Sequence, residues 1–178
     1  GLNHGNAPIS TATIPPLEIL ESAYPVRFTK WALRPDSGGA GLYRGGLGAI
    51  YEISLLEKEA DVFLFGERGK VAPRGIVGGG DAATNQFFYE QADGEHTPPM
   101  VSKMVGIHIE NGQYVRLETP GGGGYGNALL RDPETVRADV IEGYVSIDAA
   151  RQSYGVVISA DGTIDEGATA TLRKERAA

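Results

Sequence analysis

The stretch Val105-Gly106-Ile107-His108-Ile109-Glu110-Asn111-Gly112-Gln113-Tyr114-Val115-Arg116-Leu117-Glu118 decides the fold class. Val105, Ile107 and Ile109 alternate with Gly106, His108 and Glu110, and Val115 and Leu117 alternate with Arg116 and Glu118. That is the period of half-buried strands. Asn-Gly between two such runs predicts a hairpin with a type I′ turn, which needs positive φ at both central residues.

Working outward, strands are expected over 26–33, over a segment with Tyr51, Ile53 and Leu55 on one face, and at Val62-Phe63-Leu64-Phe65, read as buried. Residues 1–13 read as irregular and 81–104 as weakly periodic. Pro15 and Pro16 suit a first helical turn, and Leu17, Leu20 and Ala23 continue it until Pro25. Asp132 as N-cap, Pro133 and Glu134 open a helix with Val136, Val140 and Ile141 on its apolar face, closed by Gly143. Ser146 caps another, ending near Tyr154-Gly155. A strand at 156–158, a turn at Asp161-Gly162 and a polar helix over 166–176 follow. The fold class is α+β, β-rich with hairpins, with short helices mainly in the C-terminal part, and 1–178 reads as a single domain or part of one.

The 178 residues, 41% apolar and 22% charged, suit a globular domain with a real core. A net charge of −7 argues against a nucleic-acid surface and against a polybasic membrane patch. No apolar run reaches the roughly 18 residues of a membrane span, and no signal peptide is visible. The absence of cysteine excludes disulfides and thiolate chemistry and fits the cytoplasm. The opening Gly1-Leu2-Asn3-His4-Gly5-Asn6, without Met, reads as the interior of a longer protein, with a tag remnant as the alternative.

The 26 glycines are about twice the average share of roughly 7%. They cluster in three loops: loop one over 34–46, loop two over 66–80 and loop three over 119–126. Glycine lets a ligand or another backbone approach closely, and tight turns between strands explain any single loop equally well. In loop one, Arg34, Asp36 and Arg44 bracket Ser37. An Asp accepting from Arg would brace the loop, or orient a substrate amide or a water. In loop two, Arg68, Lys70 and Arg74 beside glycines suit a carboxylate or phosphate, or else form a solvated or inter-chain basic patch. In loop three, Gly122, Gly123 and Tyr125 are the candidates for a substrate surface, although tyrosines here and Trp31 read first as core.

Gly121, Gly123 and Gly126 spell G-x-G-x-x-G, but the helix is expected only at Asp132. No helix N-terminus meets the loop, so the dinucleotide reading fails. His4, His96 and His108 lack metal-ligand spacing, and His108 reads as a surface residue. No metal is assigned to this chain.

The order of the motifs resembles the hydantoinase B / 5-oxoprolinase family, specifically its C-terminal segment. Ile14-Pro15-Pro16-Leu17-Glu18-Ile19-Leu20-Glu21, Leu33-Arg34-Pro35-Asp36-Ser37-Gly38-Gly39-Ala40-Gly41, Tyr43-Arg44-Gly45-Gly46, Glu67-Arg68-Gly69-Lys70, Pro73-Arg74-Gly75, Thr119 to Gly126 and Arg131-Asp132-Pro133-Glu134 carry it, with Ala149-Ala150-Arg151 and Tyr154-Gly155-Val156-Val157 at the end. The resemblance implies an ATP-dependent hydrolase of small cyclic amides: hydantoin, 5-oxoproline or a lactam. It implies a hydantoinase A-like partner that binds ATP with Mg, and a divalent metal in the remainder of the B-type subunit. Asn127 stands where the family often has Asp, which argues against a catalytic base there. Asp36 and Arg44 remain the candidates for catalysis. Ser37, Arg68, Lys70, Arg74, Gly122, Gly123 and Tyr125 remain those for substrate binding. Two alternatives stand beside this: a subunit of the acetone or acetophenone carboxylase type, and a structural or assembly segment with no catalytic residues of its own.

Overall fold

The computed structural model describes residues 1–3 and 15–177. The expectations for His4 and for most of the irregular N-terminal stretch lie outside the described residues. Helix α1 spans Leu17–Ala23 behind Pro16, and Pro25 separates it from strand β1, Val26–Leu33. Then come β2 (Ala49–Leu55), β3 (Glu59–Phe65), β4 (Gln86–Gln91), β5 (Gly94–His96), β6 (Lys103–Glu110) and β7 (Tyr114–Glu118). A short 3-10 turn at Ala128–Leu130 precedes α2 (Pro133–Ile141), α3 (Ile147–Tyr154) and α4 (Glu166–Ala177). The α+β class stands.

Five strands form one antiparallel sheet in the order β1-β2-β7-β4-β5, and β3 and β6 form a second. The stretch around Asn111-Gly112 is therefore not a hairpin, since β6 pairs with β3 and β7 pairs with β2 and β4. Instead β2–β3 and β6–β7 are two long strands that pass the same corner side by side. Asn111 N donates to Lys58 O (3.0 Å), its side-chain amide to Leu56 O (2.7 Å), and Gly112 N to Leu55 O (2.9 Å). Only Gly112 has positive φ (83°), and Gln113 N closes the turn on Glu110 O. That is the pattern of a type II turn, not of type I′. Asn111 is taken up in holding the neighbouring corner, so it does not adopt the second left-handed position.

The space between the sheets is filled by Leu55, Phe87, Tyr89, Ile107 and Ile109, with Val62, Leu64, Met104, Val115 and Leu117 packed around them. The strand at 62–65 is half-buried, not buried: Val62 and Leu64 face in, while Phe63 and Phe65 are 70% and 84% exposed. The simple alternation in β6 also breaks. Val62 pairs with Ile107 and Leu64 with Met104, so an extra residue bulges at Gly106, whose φ is 66°. The bulge turns Val105 outward and Met104 inward. Strands β4 and β5 escaped the sequence reading because Phe88, between the buried Phe87 and Tyr89, is also aromatic. It lies on the other face, under the Arg116 guanidinium.

A second core, Val136, Val145, Ala150, Tyr154, Val156 and Ile158, holds the helices together. The expected caps form: Asp132 accepts from Thr135 N, Ser146 from Ala149 N, and Gly155 ends α3 at φ 63°. Two expectations for this region are corrected. Ile141 is 63% exposed, and the buried position beside Val136 on α2 belongs to Asp139. The segment at 156–158 makes a single bridge, Ile158 to Ile164, not a strand, because the chain turns back at once through Gly162.

The bulge gives a direct check. Ile107→Ala should lower the unfolding free energy by about 2–5 kcal/mol in urea titration, whereas Val105→Ala should change it by less than about 0.5 kcal/mol. Equal losses would mean an unbroken alternation.

Candidate functional site

The three glycine loops lie on one another, backbone against backbone. Gly39 N donates to Gly122 O (2.9 Å), Gly122 N to Gly46 O (2.8 Å), Gly80 N to Ala40 O (2.7 Å) and Gly124 N to Gly80 O (2.9 Å). Tyr125 is bridged to Tyr43 on one side and to Ile76 on the other. A β-carbon on Gly45 would sit 1.8 Å from Gly122 O, one on Gly123 2.0 Å from Arg74 O, and one on Gly124 2.0 Å from Ala40 O. The glycines are demanded by neighbouring main chain, which is the second of the two possibilities their chemistry allowed.

Two arginines lock this stack to the rest of the fold. The Arg34 guanidinium donates to Thr84 O (2.7 Å), Thr119 O (3.1 Å) and Gln86 Oε1 (3.0 Å), and pairs with Glu118 (3.2 Å). Arg44, 7% exposed, pairs with Asp139 on α2 (3.3 Å) and donates to Gly45 O (2.8 Å). Arg131 joins the same carboxylate at 2.8 Å and donates to Leu42 O. Arg131 Nε is sealed from solvent with no partner among the described residues. The brace expected in loop one exists, but its acid is Asp139, not Asp36. Asp36, at φ 57°, accepts from Ser146 N (2.8 Å) instead, so it ties loop one to the start of α3.

The other candidates separate by environment. Ser37 is fully buried, and its hydroxyl is spent on Arg34 O and Gly48 N, so it is not presented to a ligand. Arg68 and Lys70 line a cavity of about 470 Å³ with Gly66, Val71, Met100 and Lys103. Arg74 is exposed and lies outside that lining. Arg68 holds a φ of 62° and Val77 one of 55°, the latter a costly conformation for a β-branched residue. The Lys103 ammonium contacts the Phe65 ring and pairs with Glu67, holding the Glu67 carboxyl below its usual range. Gly122 and Gly123 serve the stack. Tyr125 is 46% exposed beside Tyr43 (65%), so these rings, like Trp31 at 40%, are not core. Trp31 stacks on Tyr51 at 5.0 Å. His108 is exposed and pairs with Asp61. Asn127 caps the 3-10 turn through Leu129 N.

Sequence reasoning missed Asp139, Arg131, Met100 and Lys103. Arg131 and Asp139 are eight positions apart, too far to read as partners without the turn between them. Met100 and Lys103 fall in the stretch with weak periodicity.

Residues 1–128 match the hydantoinase B/oxoprolinase family. The chain belongs to that family. It is 39% identical over 157 residues to the beta subunit of the caprolactamase of Pseudomonas jessenii, covering 86% of this chain and 27% of that one. The crystal structure of the ATP-dependent caprolactamase from the same organism superposes with a TM-score of 0.73 at 38% identity over 89% of this chain and 28% of that one. The B subunit of the putative D-/L-hydantoinase of Pseudomonas sp. strain NS671 is 34% identical, over 89% of this chain and 27% of that one. Nucleotide-free acetone carboxylase superposes over 99% of this chain and 28% of its own, with a TM-score of 0.82 and 27% identity. This hydantoinase B-family chain thus spans about 27% of the length of those curated relatives. No helix among the described residues is long and apolar enough to cross a membrane.

Two stability tests follow. Gly45→Ala should destabilise the fold by more than about 3 kcal/mol, whereas Gly167→Ala, in α4, where a β-carbon would meet only the Asp165 carboxylate at an ordinary 3.6 Å, should add about 0.5–1 kcal/mol. Asp139→Ala should cost about 3–5 kcal/mol by leaving two buried guanidinium groups uncompensated. Thermal unfolding of the three variants decides both, and a mild Gly45→Ala would mean the loops are looser than the stack requires.

Proposed function

We propose that this chain is the C-terminal segment of a cytoplasmic, ATP-dependent subunit that opens cyclic amides of the hydantoin, 5-oxoproline or lactam type. It would work with a hydantoinase A-like partner that handles ATP with Mg. The observation that carries this reading is the 39% identity to the beta chain of a caprolactamase along most of the sequence. Among the described residues no group of three or more His, Cys, Asp or Glu side chains meets to hold a metal. The backbone of loop three is taken up by its neighbours. In this reading the metal belongs to the remainder of the B-type subunit and ATP with Mg to its partner.

In this reading the chain supplies binding and alignment. Arg68 and Lys70 hold an anionic group at the cavity they line, beside the Lys103–Glu67 pair, where two cations next to an apolar wall favour a carboxylate or phosphate. Arg44 and Asp36 act by fixing loop one against α2 and α3, as positioning residues for groups on the rest of the subunit. Arg74, Gly122, Gly123 and Tyr125 shape the surface that faces those groups.

The carboxylase branch is the second reading, favoured by the 99% coverage of the acetone carboxylase match. The complete subunit with its partner, assayed for phosphate release, separates the two. Release dependent on a lactam, hydantoin or 5-oxoproline is expected. Release that needs a ketone with bicarbonate, without amide turnover, would overturn the hydrolase reading. Arg68→Gln with Lys70→Gln should raise KM about tenfold and leave kcat nearly unchanged.

A further inference from the structure

The bridges that join the three loops also line up their side chains. Residues bridged across neighbouring strands project on the same face. Tyr43, Tyr125 and Ile76 therefore stand in one row across loops one, three and two. All three are exposed, and the Tyr43 and Tyr125 rings lie 6.1 Å apart. Val77 follows Ile76 and is 69% exposed. It holds a φ of 55°, which a β-branched side chain resists and which glycine adopts freely, as the neighbouring Gly78 does at 84°. Among the described residues this side chain gains little contact to offset that strain. Apolar residues exposed singly are ordinary, but a contiguous row of them marks a contact surface. Strain of this kind collects at functional places.

We propose that this row, with Val77, is the seat of the part of the B-type subunit that precedes Gly1. The inference rests on the C-terminal-segment reading but not on the choice between hydrolase and carboxylase. Two observations fit this occupant. The chain spans about 27% of the length of its curated relatives, so a subunit of their length has ample chain to cover the row. The main chain at Gly1 lies on loop one, where its amino group donates to the carbonyl oxygen of Arg44 (2.7 Å), the residue next to Tyr43. Chain arriving at Gly1 thus reaches loop one a single residue from the row. The occupant is apolar where it meets Ile76 and Val77. It offers polar groups to the two phenol hydroxyls, since tyrosine joins an apolar body to a polar tip.

Photocross-linking in the complete subunit with its partner tests this. The photoreactive p-benzoylphenylalanine replaces Tyr43 in one preparation and Ile76 in another. A denaturing gel separates links within a chain from links between chains, and mass spectrometry of the linked peptides locates them. Links from both positions to residues of the same subunit that precede Gly1 are expected. Links to the hydantoinase A-like partner, to a second copy or to residues 4–14, or no links at all, would overturn the proposal and leave the C-terminal-segment reading intact. An intact mass of 18.8 kDa for the natural protein would end both. In the complete subunit, Tyr43→Ser with Ile76→Ser should speed release of the segment by limited proteolysis about tenfold. Unchanged cleavage would mean that the row is uncovered, which contradicts the proposal.

Discussion

Main chain packed directly on main chain, with no space for a β-carbon, is the constraint on which the rest of this structure hangs. At Gly45, Gly123 and Gly124 the clearance to a neighbouring carbonyl is 2.0 Å or less for an added β-carbon. Such contact lets three irregular loops exchange hydrogen bonds as strands do, with Tyr125 bridged to a neighbour on each side. The stack in turn sets where other groups stand. Arg44 can be buried because Asp139 and the carbonyl of Gly45 meet it. Positive φ at Asp36, Arg68 and Val77 is tolerated because the surrounding loops leave those residues little choice.

The arrangement divides labour between a rigid centre and its borders. Glycine fills the points of closest contact, where no side chain fits. The ionisable groups collect where the loops end: Arg68 and Lys70 beside Met100 and Lys103 on one cavity, Asp36 and Asp81 beside Tyr154 on another. The first border is cationic with an apolar wall, the second anionic.

Much of the architecture was legible. The caps at Asp132 and Ser146 and the stop at Gly155 act locally, through side chains and φ preferences that short windows reveal. The corner at Asn111-Gly112 was not legible as such. Two alternating runs around Asn-Gly look alike whether the strands pair with each other or with different partners, and the choice is made by β2 and β3, more than 45 positions earlier in the chain. Gly106 misled for a related reason: a bulge reverses the alternation, and a single glycine in a strand does not announce it. For the site, clustering of glycine and charge located the loops correctly. It could not show that Arg44 would choose Asp139, that Ser37 would be sealed, or that Tyr154 would lie on the same cavity as Asp36.

Hydrogen exchange at the loop amides tests the central claim most directly. If the loops form a backbone stack, Gly39, Ile76, Gly80, Gly122, Gly124 and Gly126 should exchange as slowly as the paired amides of β2 and β7. Exchange at the rate of open surface loops, while β2 and β7 stay protected, would contradict it.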